Sequence, residues 1–174
     1  SNPASMTLAG SLTNLAFDGA IGVAVDGNFA YVSMNDGIAV ANISNPASIT
    51  IVGGIGFDYW YFSGATGLAY ANGRVYTATT AQMIMFTFDV STPTSVTTTG
   101  LNTYYTQSMI STGYFEAQGN YIYSTALYAD NLTILDVSEP RYPTQISDIY
   151  VCDSAQRVKV WGNYAYLGCA DGLG

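Results

Sequence analysis

The chain contains no histidine and very little charge. Without an imidazole there is no Ser-His-Asp or Cys-His pair and no histidine-bound metal. Charged residues make up 9% of the 174 positions, against about 25% in an ordinary globular domain. Only Arg74, Arg141, Arg157 and Lys159 are basic, against 12 acidic residues, and the net charge is −8. That balance excludes a nucleic-acid partner, which needs a basic surface. No apolar run approaches the roughly 20 residues that cross a bilayer, so no membrane insertion is expected. Cysteine is scarce too. Cys152 and Cys169 are too few for a structural zinc site, and they read either as two buried thiols or as one disulfide across neighbouring strands.

What replaces the missing charge is Ser, Thr, Asn, 18 Gly and 15 Tyr. A Tyr/Thr/Ser-rich, Lys-poor surface suits an extracellular or cell-surface protein. Asn42-Ile43-Ser44 and Asn131-Leu132-Thr133 match the glycosylation acceptor pattern, which is short enough to arise by chance in such a composition.

Two landmarks recur along the chain. The first is a Pro corner: Ser1-Asn2-Pro3, Ser44-Asn45-Pro46, Ser91-Thr92-Pro93 and Ser138-Glu139-Pro140. The second is a Gly/Asn turn leading into an aromatic strand: Gly27-Asn28 before Tyr31, Asn72-Gly73 before Tyr76, Gly119-Asn120 before Tyr123, and Gly162-Asn163 before Tyr166. Both repeat every 43 to 47 residues. Turn chemistry divides the first unit into strands Ile21–Val25, Phe29–Ser33, Ile38–Ile43 and Ile49–Gly53. Four short antiparallel strands per unit of about 40–50 residues is the pattern of a β-propeller blade. The expected fold is all-β, with about four blade units: 1–20 ends one blade, 21–66, 67–114 and 115–157 are full units, and 158–174 begins another. Met6–Leu12 is predicted to be a fourth strand. A closed four-bladed ring would lack the third strand of its last unit, and propellers usually have more blades, so the expectation is a fragment: consecutive blades cut from a larger ring or a longer array.

The motif Gly119-Asn120-Tyr121-Ile122-Tyr123, followed by Leu132-Thr133-Ile134-Leu135-Asp136-Val137-Ser138-Glu139-Pro140, resembles the LVIVD-repeat β-propeller family. Asn42-Ile43-Ser44 and Phe88-Asp89-Val90-Ser91 are weaker copies. The resemblance implies a secreted or surface-displayed propeller, and the family shares no single activity to carry over.

Function is then expected in the blade-to-blade loops. The loop from Phe57 to Phe62 carries Asp58, Tyr59, Trp60 and Tyr61, and a later one carries Tyr104, Tyr105 and Gln107. Such rings either fill gaps between blades or form a patch for a protein surface or a sugar. Asp18 and Asp153 sit nine residues before their turn glycines. With Asp58 they are candidates for a Ca²⁺ ring, although no D-x-D-x-D loop is present; otherwise they cap their own loops. No cofactor is expected. Asn42, Asp89 and Asp136, each 47 residues apart, are predicted to accept backbone N–H groups in the Ser-x-Pro corners. A glycoside hydrolase would need two carboxylates, Asp58 with Asp18 or Asp153. The leading expectation is a non-catalytic scaffold for self-association or protein contact, with carbohydrate binding as the alternative.

Overall fold

The computed structural model describes residues 7–12, 19–57, 65–79, 84–102, 114–125, 130–170 and 172–173. Among them there is no helix. Blade 1 is β1 (Gly22–Asp26), β2 (Phe29–Met34), β3 (Gly37–Asn42) and β4 (Thr50–Gly56). Blade 2 is β5 (Ala65–Ala71), β6 (Arg74–Thr79), β7 (Ile84–Asp89) and β8 (Thr97–Asn102). Blade 3 is β9 (Tyr114–Gln118), β10 (Tyr121–Thr125), β11 (Asn131–Asp136) and β12 (Thr144–Tyr150). Blade 4 has β13 (Arg157–Trp161), β14 (Tyr164–Cys169) and the short β15 (Gly172–Leu173). Each blade is a simple antiparallel meander in chain order.

The predicted turns take their expected places. Asp26 pairs with Phe29 across a two-residue hairpin whose Gly27 has φ 52°. In blade 2 the order inverts to Asn72-Gly73, with φ 51° and 73°, the double positive φ that a tight hairpin favours. A register shift recurs between the third and fourth strands of all three full blades, at Val40/Ala41, Thr87/Phe88 and Ile134/Leu135. A bulge at this point adds twist, and twisted blades are what pack around an axis.

The core lies between blades. Alternation along each strand sends one set of side chains forward to the next blade and the other back to the previous one. Tyr31, Ile38 and Val40 of blade 1 meet Leu68, Val75, Phe86 and Phe88 of blade 2. Tyr76 and Met85 of blade 2 meet Phe115, Ile122 and Leu135 of blade 3. Leu132 of blade 3, with Tyr123 and Ile134 beside it, meets Val158, Val160 and Leu167 of blade 4. Tyr31 stacks on Tyr70 with ring centroids 5.3 Å apart. Burying each such ring or aliphatic chain is worth about 1.5–3 kcal/mol.

Residues 7–12 correct one expectation, because they are not paired as a strand. They nevertheless lie where a fourth strand would. A Cβ on Gly10 would fall 1.6 Å from the Pro46 carbonyl oxygen, as one on Gly53 of β4 would fall 2.1 Å from that of Pro93. Each glycine follows its own corner proline by seven residues. Residues 7–12 thus hold against blade 1 the position that β4 holds against blade 2, with no strand partner among the described residues.

Candidate functional site

The first strands of the four blades, with Tyr166, Leu167 and Gly168 of β14, line an open cavity of about 570 Å³. Equivalent positions line it with unlike residues. Blades 1 and 2 contribute Gly22 and Gly67, whereas blades 3 and 4 contribute Tyr114 and Arg157, with Glu116 and Lys159 beside them. The Arg157 guanidinium sits 4.2 Å from the Tyr114 ring centroid, a cation–π contact. Lys159 forms an ion pair with Glu116. Two of the chain's four cations therefore meet on one side of the axis. Glu116 is the one carboxylate among the lining residues, so the cavity as described does not assemble the carboxylate pair that glycoside hydrolysis uses.

The arc of blades ends on two uncovered faces. On blade 1, Ile21, Val23 and Val25 point away from blade 2, and Val23 is 63% exposed. On blade 4, Trp161, Tyr164 and Tyr166 point away from blade 3, with Trp161 76% exposed. Trp161 and Tyr164 are cross-strand partners. Successive innermost strands pack β1 on β5, β5 on β9 and β9 on β13. Among the described residues no core cluster joins blade 4 to blade 1.

The corners behave as predicted. Ser44 N–H donates to Asn42 Oδ1 at 2.9 Å, Ser91 N–H to Asp89 Oδ1 at 3.0 Å, and Ser138 N–H to Asp136 Oδ1 at 2.8 Å. At Asp136 the Ser138 hydroxyl and N–H hold the carboxyl below its ordinary pKa. At Asp89 burial pushes the pKa up, but the Ser91 hydroxyl and N–H together with Arg74 outweigh it, and the net shift is downward. Arg74 and Asp89 form a 3.1 Å salt bridge. Burial and a hydrogen bond to Asp26 push Tyr70 up to about 12, and burial alone does the same for Tyr76. Cys152 and Cys169 form a disulfide with a Cα–Cα distance of 6.1 Å, tying the entry to blade 4 onto the end of β14.

The family model for the LVIVD repeat matches residues 19–55, 115–150 and 153–173, more than half of the chain. The chain belongs to the LVIVD-repeat family. The matched LVIVD segments are blades 1, 3 and 4; blade 2 adopts the same sheet without a match. No curated protein sequence matches the chain. Among solved structures, the computationally designed protein Ika4 is similar with a TM-score of 0.67 at 12% identity, over 98% of this chain and 96% of that one. Ika8, also designed, gives 0.63 at 13% identity over 88% of this chain and 44% of its own. A candidate 6-phosphogluconolactonase from Bacteroides uniformis gives 0.68 at 15% identity over 93% and 52%. The LVIVD chain thus spans about half the length of the last two, and at such identities the likeness shows the fold alone.

Against this frame, Asp58, Tyr59, Trp60, Tyr61, Tyr104, Tyr105, Gln107 and Asp18 lie outside the described residues. Phe57, at the root of the first aromatic loop, packs 5.6 Å from the Phe86 ring and 5.9 Å from the Phe88 ring. That ring is a filler between LVIVD blades. Asp153 accepts the Tyr150 hydroxyl at 2.8 Å and is absent from the cavity lining. Among the described residues no three His, Cys, Asp or Glu side chains gather to hold a metal. The acceptor asparagines are engaged within their blades, Asn42 in its corner and Asn131 donating to Asp148 Oδ1 at 3.0 Å. Sequence reasoning did not single out the Tyr114–Arg157 and Glu116–Lys159 pairs. Aligning the first strand of each repeat carries the signal, since Gly22, Gly67, Tyr114 and Arg157 share one register position.

Proposed function

We propose that this LVIVD chain is a non-catalytic scaffold, displayed outside the cytoplasm, that works by self-association and protein–protein contact. The observation that carries this reading is the pair of uncovered sheet faces at the two ends of the arc. Contiguous exposed apolar surface of this kind costs free energy until another surface covers it. The low charge density supports it, because few charged side chains stand in the way of face or edge pairing. The Cys152–Cys169 disulfide supports an oxidising compartment. In this reading the aromatic loop of Tyr59 and Trp60 adds a contact patch for further protein surfaces. The double variant Tyr59→Ala/Trp60→Ala is expected to lose higher assemblies in sedimentation velocity at high concentration, with an unchanged far-UV spectrum. Undiminished assembly would count against the loop.

The exposed cross-strand pair of Trp161 and Tyr164 favours a second reading, a carbohydrate platform on which sugar rings stack. A glycan array probed with folded protein tests it, and the absence of any binder removes it. Catalysis has no part in either reading: Glu116 is engaged by Lys159, and the chain has no histidine. Turnover of chromogenic glycosides that is lost in Asp58→Asn would overturn this.

A further inference from the structure

We propose that the cavity walled by blades 3 and 4 binds a sugar acid, a single pyranose ring bearing one carboxylate. The site goes beyond the scaffold reading and stands whether or not copies of the chain associate.

Charge points to an anion. The charged side chains lining the cavity are Arg157 and Lys159 against Glu116, so it is net positive in a chain whose net charge is −8. Lys159 is matched by Glu116, and elsewhere Arg74 is matched by Asp89. Arg157 is held differently. Its guanidinium carbon lies 4.2 Å from the Tyr114 ring centroid, and one of its N–H groups donates to the Tyr114 hydroxyl at 3.3 Å. Among the described residues no carboxylate pairs with it. An aromatic ring orients a guanidinium without cancelling its charge. Most of the N–H donors of Arg157 are left to meet a planar carboxylate. Glu116 repels a second negative charge, which favours a monoanionic carboxylate over a phosphate.

Shape points to a ring. Gly168 is the cross-strand partner of Arg157. The same place in the other blades, two residues after the recurring tyrosine, is filled by Ser33, Ala78 and Thr125, all buried. A Cβ added to Gly168 would meet no atom nearer than Arg157 Cβ at 4.0 Å. The space beside Arg157 is therefore open. The whole cavity, about 570 Å³, lies within the range of about 300–1,000 Å³ that small-ligand sites occupy. Tyr166, cross-strand from Lys159 and 49% exposed, supplies a ring. Val23 adds apolar surface. The C–H face of a pyranose packs on surfaces of this kind.

Hydrogen bonding separates a sugar acid from a plain carboxylic acid. The Lys159–Glu116 pair keeps unused ammonium protons and a second carboxylate oxygen, and Tyr114 keeps its own hydroxyl proton. Donors and an acceptor thus stand beside Arg157, and a ligand rich in hydroxyls satisfies both kinds. A plain acid would cover them without partners, which costs affinity.

Isothermal titration calorimetry with D-glucuronate, D-glucose and acetate tests the site. The wild-type chain is expected to bind glucuronate about tenfold or more tighter than either of the others, because each lacks half of what is recognised. Arg157→Gln is expected to lose about tenfold or more of the glucuronate affinity. Its urea midpoint is expected to be unchanged, since Arg157 is exposed. Arg157→Lys, which keeps the charge but not the planar fork, is expected to fall between the two. Arg141→Gln removes the same charge outside the cavity and is expected to bind as the wild type does. Absent glucuronate binding, equal affinity for acetate, or equal losses in Arg157→Gln and Arg141→Gln overturns the site. Binding that survives Arg157→Gln also overturns it and assigns the sugar to the Trp161–Tyr164 pair instead. Sedimentation reads assembly separately, so a chain that assembles but binds no glucuronate loses the site and keeps the scaffold.

Discussion

Tyr76 and Tyr166 occupy the same position of the same repeat, each following a Gly/Asn hairpin on the second strand of its blade. Tyr76 is fully buried against blade 3, and Tyr166 is half exposed on the outer face of blade 4. Their hairpins differ in the order of Gly and Asn, yet both tyrosines sit three or four residues after the turn on the second strand. The difference is whether another blade stands in front, which teaches that in this fold a side chain's energetic weight is set by the neighbouring unit rather than by its own strand. That is the expectation for a repeat architecture whose stability is a sum of unit and junction contributions.

The comparison can be broken most forcefully in the first junction. Phe86→Ala is expected to cost about 3–5 kcal/mol, as removal of a fully buried ring does. Tyr166→Ala, measured by urea unfolding at a dilution where copies are apart, is expected to cost below about 1 kcal/mol. Equal losses would mean that the blade 4 face is covered within one chain.

Next in size is the disulfide. Reduction, or Cys152→Ser with Cys169→Ser, is expected to cost about 3 kcal/mol for a loop of this length. Hydrogen exchange is expected to quicken in β13 and β14 and to stay unchanged in β2 and β3. Uniform acceleration would show that the four blades unfold as a single unit.

The corners give a smaller, pH-dependent contrast. Asp89 has a lowered pKa, so its contribution is present above the ordinary value of 3.8 and is lost as pH falls through the lower folded value. Asn42 fills the same place in blade 1 without a charge. Asp89→Asn is therefore expected to flatten the acid limb of the stability curve by about 1 kcal/mol, the worth of one such hydrogen bond. An unchanged acid limb would assign that loss to other carboxylates. The alkaline side runs the opposite way. Tyr70 and Tyr76 have pKa values raised to about 12, so their share of stability is full below 10 and fades as pH rises from there through 12. Ultraviolet titration is expected to show their phenolates forming last, and Tyr76→Phe is expected to remove one late step.

Much of the fold was legible because it is written in turns and alternation. Gly27, Gly119 and Gly162 take positive φ where the hairpins need them, and the residues that precede the Ser-x-Pro corners make the predicted hydrogen bonds. The candidate site was less legible. Glu116 and Lys159 are 43 residues apart, and only the arc of inner strands brings them together. The aromatic loop residues could be named from composition, but the visible ring, Phe57, turned out to be packing.

The sequence by itself determined the repeat, its four-strand order, its turns and its corners, because these depend on contacts within about ten residues and on the rigid preferences of Gly, Asn and Pro. Tertiary structure alone decided which face of each strand is core, which cations share the axis, that the two cysteines meet, and that residues 7–12 stand in a strand's place. Those outcomes depend on the curvature by which one blade follows the next, and curvature is a property of packed neighbours that no single repeat encodes.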